Sequence, residues 1–180
     1  MKILGIDPGS QICGYGVIYC NLNKISLIEY GVVNLKKKSN DLPTRLKEIF
    51  NRLTEVIIRT KPDFSAFESV FYSKNAQSMM KLSHARAAAI LTASLKDIPI
   101  AEYSPREIKK SVTGMGNASK EQVQFMVKNL LNIEETNEFF DATDALAVAI
   151  CHSFRLSTPT QKSKSWEEFI KQNPNRIVKY

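Results

Sequence analysis

The sequence predicts an α/β domain built on a five-stranded mixed sheet flanked by helices, and three observations carry that prediction. Three strand-like runs come first, separated by short breaks. Helical periodicity then sets in and alternates with only two further strand-like runs. The helices that follow the fifth run succeed one another without intervening strands. A regular strand–helix alternation would make every strand parallel, whereas this order places an antiparallel meander beside parallel strands.

Residues 1–6 form a short apolar run stopped by Asp7-Pro8-Gly9, the pattern of a buried strand ending in a turn. Residues 14–20 and 25–35 read as the second and third strands, with Asn21-Leu22-Asn23 as a tight connection, and Lys36, Lys37 and Lys38 mark a solvated loop. From Asp41 the period changes. Leu42, Leu46, Ile49, Phe50, Leu53, Val56 and Ile57 recur at helical spacing, with Asp41 as N-cap, Pro43 in the first turn and Lys61-Pro62-Asp63 as the stop. Residues 64–68 form a fourth strand. Residues 75–96, rich in Ala, Met and Leu, form a long helix in which Met79, Met80 and His84 are expected to pack rather than to serve a site. Residues 98–103 form the fifth strand.

Ser104-Pro105 opens a helix that ends near Gly114. Residues 119–131 form another, with Val123, Met126, Val127, Leu130 and Leu131 on its buried face. The last regular helix spans residues 141–154 and is apolar nearly all round, so it is expected to be well buried. Beyond Leu156 the composition turns to Ser, Thr, Gln, Lys and Pro. The chain therefore divides into a domain over residues 1–156 and a basic tail over 157–180, with a short helix around Trp166.

At 180 residues, 43% hydrophobic and 24% charged, the chain can bury a sizeable single core. Its net charge of +7 suits a polyanionic partner such as nucleic acid without requiring one. Cys13, Cys20 and Cys151 show no C-x-x-C spacing, and only His84 and His152 accompany them, so the pattern is that of reduced thiols and not of a zinc site. No apolar run approaches the roughly 20 residues that span a bilayer, and residues 1–6 lack the features of a signal peptide. A soluble, cytoplasmic protein is expected.

Four carboxylates stand out. Asp7 closes the first strand and Glu68 the fourth, and strand ends are where α/β proteins place their sites. Each has a plainer explanation, since D-P-G makes a turn by itself and a strand can end on a solvated charge. Asp141 and Asp144 stand three apart at a helix start and so share a face. Capping accounts for one of them well and for a second less well. Their helix offers no Lys or Arg before Arg155, so their countercharge must come from elsewhere. Four converging acids would repel one another unless cations intervened. Mg²⁺ takes oxygen ligands and keeps open positions for substrate. Two such ions roughly 3.5–4 Å apart can activate a water and stabilise the leaving oxygen in phosphodiester hydrolysis. In this reading Asp7 and Asp141 or Asp144 bridge the metals, Glu68 helps position them and the attacking water, and surrounding lysines bind phosphates.

I-L-G-I-D-P-G-S at the start, F-E-S-V-F-Y-S-K-N-A around Glu68, K-L-S-H-A-R-A-A-A-I, V-T-G-M-G-N-A-S-K-E-Q-V and D-A-T-D-A-L-A-V-A-I occur in order along residues 1–154. Together they resemble the RuvC family of bacterial Holliday-junction resolvases. The resemblance implies an RNase H-like fold and a homodimer. It also implies Mg²⁺-dependent, paired, symmetrical nicking of four-way junctions in DNA recombination and repair, with Mn²⁺ able to substitute and two ions per site. It implies as partners the branch-migration proteins RuvA and RuvB. The family's catalytic acids fall on Asp7, Glu68, Asp141 and Asp144, and its functional lysines on Lys109 and Lys120. Its junction-contacting aromatic falls on Phe71, with Tyr72 beside it. Some members carry His at the position matching Asp141.

Read on its own, Phe71 follows Glu68 by three residues, where an aromatic stacks on an unpaired base or joins the core. Lys120 lies in G-M-G-N-A-S-K, where it meets a phosphate, stabilises charge developing in the transition state, or is a solvated first-turn residue. Lys109 and Lys110 are otherwise a plain charge pair. Three competing functions remain. G-I-D-P-G-S also resembles the phosphate loop of actin-like ATPases and sugar kinases, which need two such domains and a far longer chain. The others are an RNase H-like nuclease acting on another structured nucleic acid and a non-catalytic junction-binding protein. Retention of all four acids argues against the last.

Overall fold

The first strand is buried on both faces and divides its side chains between two core layers. In the computed structural model, residues 1–21, 24–35, 41–69, 76–134 and 140–157 are described. Strands β1 (Lys2–Asp7), β2 (Ile12–Asn21) and β3 (Lys24–Asn34) form the expected antiparallel meander, with one register shift between Val17 and Ile18. Helix α1 (Leu42–Thr60) leads to β4 (Phe64–Glu68), parallel to β1. Helix α2 (Ala76–Ser94) leads to β5 (Ile100–Tyr103), parallel to β4. Helices α3 (Pro105–Thr113), α4 (Lys120–Leu131) and α5 (Phe140–Ser157) complete the described chain. The sheet order β3-β2-β1-β4-β5 is mixed, as predicted.

Local chemistry bounds the helices where the sequence signals it. The Asp41 carboxylate accepts from the Thr44 backbone N–H at 3.1 Å and its hydroxyl at 2.8 Å, and α1 ends at Lys61 in the left-handed region. Ser104 with Glu107, and Ser119 with Gln122, form capping boxes, while Gly114 closes α3 at φ 79°.

On β1, Ile3 belongs to the layer beneath α5, whereas Leu4 and Ile6 belong to the layer beneath α1 and α2. The second layer also takes Phe67, Ile49, Leu53 and Ala89, a plain aliphatic and aromatic core. The first is closer. A Cβ on Gly5 would strike the Ala145 carbonyl, one on Gly14 the Asp141 carbonyl, and one on Gly16 the Leu146 side chain. Helix α5 thus lies on bare strand backbone, and its residues from Ala145 to Ser153 are all buried.

Three expectations need correction. β5 starts at Ile100 and not at residue 98. The Ile98 N–H bonds the Ala93 carbonyl at 3.2 Å to close the end of α2, and Pro99, which has no N–H, offers only its carbonyl to Ser65. Met80 is 61% exposed and His84 is exposed, so neither packs into the core. Helix α2 buries Ala85, Ala89, Thr92 and Ala93 instead, and small residues on that face turn the larger ones outward. The last helix continues past residue 154 to Ser157, and the rest of the expected tail lies outside the described residues. The three cysteines are free and buried, and no helix among the described residues is long and apolar enough to cross a membrane.

Candidate active site

Asp7 and Glu68 are the last residues of adjacent parallel strands, in a register that pairs Ile6 with Phe67. Strand parity points both toward α5: Asp7 follows Ile3 and Gly5 by even steps, and Glu68 follows Ala66. The start of α5 meets them there because Asp7 stands opposite Gly14, the glycine against which the Asp141 backbone rests. Asp144 is the fifth residue of α5 and lies beyond the turn whose N–H groups need a cap, so capping does not explain it.

The arrangement brings one carboxylate oxygen each from Asp7, Asp141 and Asp144 within 4.8 Å of one another. Glu68 stands outside that tight set. It lines an adjoining cavity of about 200 Å³ together with Asp144, Lys109 and Lys120, walled by Ile108 and Val123. The countercharge that the sequence left unplaced is Lys120. Its Nζ lies 2.8 Å from Asp144 Oδ2 and 5.9 Å from the centre of the Phe140 ring. The Ser119 capping box holds this lysine at the first position of α4. Phe71 and Tyr72 lie outside the described residues.

Electrostatics register the crowding. Burial, followed by the charges of Asp144, Glu68 and Asp141, pushes the Asp7 carboxyl up from 3.8 to about 7 against the opposing pull of Lys120. Burial and then Asp144 raise Glu68, with Lys109 and Lys120 working the other way. Asp144 is also raised, because burial and the Asp141 charge outweigh its hydrogen bond to Lys120. Burial disfavours the Lys120 charge, but the bond to Asp144 and the charges of Asp144, Asp141 and Asp7 raise it overall. A half-buried set of oxygen donors that repel one another, and that one lysine only partly neutralises, fits a hard divalent cation.

The model of the family described as crossover junction endodeoxyribonuclease RuvC matches residues 3–152. The chain belongs to the RuvC family. A curated RuvC from Cytophaga hutchinsonii is 44% identical over 175 residues, covering 97% of this chain and 87% of the relative. One from Shewanella woodyi is 51% identical over 150 residues, covering 83% and 85%. The solved Thermus thermophilus RuvC in complex with a Holliday junction substrate superposes with a TM-score of 0.81 at 30% identity, covering 87% of this chain and 95% of that one. The mixed sheet and its helices are the RNase H-like fold of this family.

For this RuvC-family chain, the residues that sequence reasoning missed are the seats beneath the acids. Gly5, Gly14 and Gly16 fix how close α5 comes to β1 and β2, and hence how close Asp141 comes to Asp7. Their signal was present as glycine inside otherwise apolar strand runs, which marks a close backbone approach. It could be read only once the strand register was known.

Proposed function

We propose that this chain resolves four-way DNA junctions by hydrolysing phosphodiester bonds at the carboxylate cluster, nicking two opposed strands as a homodimer during recombination and repair. The observation that carries this reading is the convergence of Asp7, Asp141 and Asp144 within 4.8 Å at one strand end, in a member of the RuvC family. The three aspartates, with Glu68 beside them, would hold Mg²⁺, two ions per site, with Mn²⁺ able to substitute. When bound, such ions generate a nucleophile from water at neutral pH and stabilise charge on the leaving oxygen.

The chain's own groups supply the rest. Glu68 faces the cavity from the β4 side and orients the attacking water by accepting its hydrogen bond. Lys120 donates to a phosphate oxygen and stabilises charge in the transition state, and Lys109 binds a phosphate across the same cavity. Phe71, with Tyr72, stacks on an unpaired base at the junction, a role that rests on the family likeness alone. The branch-migration proteins RuvA and RuvB are the partners, and the cytoplasm is the setting this activity implies.

The test is cleavage of a synthetic four-way junction, a linear duplex and an RNA–DNA hybrid, each with Mg²⁺ and with EDTA. Paired nicks in the junction alone, and only with Mg²⁺, are expected. Cutting of the hybrid instead would move the chain to another RNase H-like activity. Junction binding without cutting in Mg²⁺ would make it a non-catalytic junction binder.

A further inference from the structure

A second cleft opens at the same sheet edge on the opposite face from the acids. It encloses about 310 Å³, against about 200 Å³ for the cavity beside Glu68. Its floor is apolar, made by Leu35, Leu46 and Ile49 between β3 and α1. Its rim carries Arg45, Lys81 and Ser10, and no carboxylate lines it among the described residues. Arg45 Nη1 donates to the Ser10 carbonyl at 3.5 Å, which holds the guanidinium against the turn that follows Asp7. Lys81 is exposed near the start of α2 and forms no ion pair among the described residues.

The position of this cleft gives it meaning. Ser10 lies three residues after Asp7, so chain geometry keeps it within roughly 10 Å of that residue. Each strand of duplex DNA carries one negative charge about every 3.4 Å of the helix axis. A strand whose scissile phosphate rests at the carboxylates therefore presents neighbouring phosphates within reach of the cleft's rim. Asp7 at the carboxylates and Ser10 on the cleft's rim are the two ends of one short turn. One side of this edge holds acids with Lys109 and Lys120, and the other holds cations above an apolar floor.

We propose that the cleft between α1 and α2 is a second backbone-binding site for the substrate strand. It takes a phosphate on Arg45 and Lys81 and lays the adjoining deoxyribose on Leu35, Leu46 and Ile49. The inference rests on the reading of the chain as a junction nuclease and adds a contact on the side of the sheet away from the cut. A phosphate bound here positions the strand and carries no base information.

The experiment measures binding of a synthetic four-way junction to the full chain in Mg²⁺, at several salt concentrations. The Asp7→Asn background is used so that no cutting intervenes. Lys81→Gln is expected to weaken binding several-fold and to flatten the slope of log affinity against log salt by about 0.9, the loss of one phosphate contact. Arg45→Gln should do the same, the double variant should lose about twice as much slope, and Lys81→Arg should restore it. Lys24→Gln, at the far end of the sheet where β3 begins, is the control and should keep the parent slope. Parent slopes in both Lys81→Gln and Arg45→Gln would overturn the inference. Equal flattening in Lys24→Gln would do so too, since the effect would then belong to net charge and not to the cleft. A parent that binds no four-way junction at any salt would sink the junction reading and this inference with it.

Discussion

The two faces of the sheet solve different problems. Beneath α1 and α2, Leu4, Ile6, Phe67, Ile49 and Leu53 fill the space with large side chains, and the helices stand off at the distance those side chains set. Beneath α5, three glycines remove side chains altogether and small residues such as Ala145 and Ala149 rest on strand backbone. The first face is built for apolar volume. The second gives up volume for proximity, and that proximity brings Asp141 and Asp144 to Asp7. The contrast shows that the site is a property of one packed layer, and each face can be perturbed separately.

The sharpest separation comes from Asp7→Asn set beside Leu53→Ala. Asp7→Asn should lower junction cutting at least about a thousandfold, a loss of roughly 4 kcal/mol of transition-state stabilisation, while the protein stays folded and still binds junction. Leu53 is fully buried on the other face, and its truncation should cost about 2–5 kcal/mol of stability. It should leave the cutting rate per folded molecule unchanged. Single-turnover cutting and denaturant unfolding on both variants decide the matter. Normal cutting by Asp7→Asn would remove Asp7 from the site.

Gly14→Ala tests whether the close layer positions the acids. The new methyl meets the Asp141 carbonyl, so α5 must shift or the strand must bend, at a cost of about 1–3 kcal/mol or more. Unlike Leu53→Ala, this change should also depress cutting per folded molecule, because the displaced backbone carries Asp141. Lost stability with full activity in the folded fraction would show that the carboxylates tolerate a looser seat than the glycines suggest.

The crowding of acids also predicts how stability responds to pH without metal. Asp7 titrates near 7 in the folded chain and near 3.8 when unfolded, so the folded state binds the extra proton between those values. Its contribution is greatest below about pH 4, falls as pH rises toward 7, and levels off above. The shift of about 3 units corresponds to at most roughly 4 kcal/mol, and less in practice because water reaches part of the site. The raised carboxyls of Glu68 and Asp144 act with the same sign. Buried His152, whose pKa is lowered by desolvation, acts with the opposite sign below its ordinary range. The difference between wild type and Asp7→Asn isolates the aspartate. In EDTA the variant should melt higher than wild type at pH 8, with the gap closing toward pH 4, and Mg²⁺ should raise the wild-type melting temperature most at high pH. Parallel melting curves across that range would mean the acids are less confined than the geometry places them.

Much of this organisation was legible in the sequence because it is written locally. Asp41, Ser104 and Ser119 announce their helices by capping, Gly114 ends one, and the residues flanking Asp7 and Glu68 announce strand ends. What was not legible depends on partners far along the chain. Lys120 and Asp144 lie 24 positions apart, and only the docking of α4 beside α5 makes them a pair at 2.8 Å. The seats at Gly5 and Gly14 require strand register as well as composition. Helix α2 is rich in Ala on several faces, so its sequence does not say which face is buried, and Met80 and His84, expected to pack, are exposed.

The smallest predicted effect uses two caps of similar worth on the two faces. Asp41→Ala removes the side chain that holds the Thr44 N–H at the start of α1, and Ser119→Ala removes the one that accepts from the Gln122 N–H at the start of α4. Each should cost about 1 kcal/mol of stability, since each leaves a helix N-terminus with an unsatisfied donor. Their effects on cutting should nonetheless differ. The first residue after Ser119 is Lys120, which reaches Asp144 from a turn that the capping box holds in place, whereas the Asp41 cap fixes a helix whose buried residues pack on the other face. Ser119→Ala should therefore slow single-turnover cutting of already bound junction a few-fold at saturating metal, and Asp41→Ala should leave that step unchanged. Equal rates in the two variants would mean that Lys120 is held by its ion pair alone, and that the cap contributes to the fold without tuning the site.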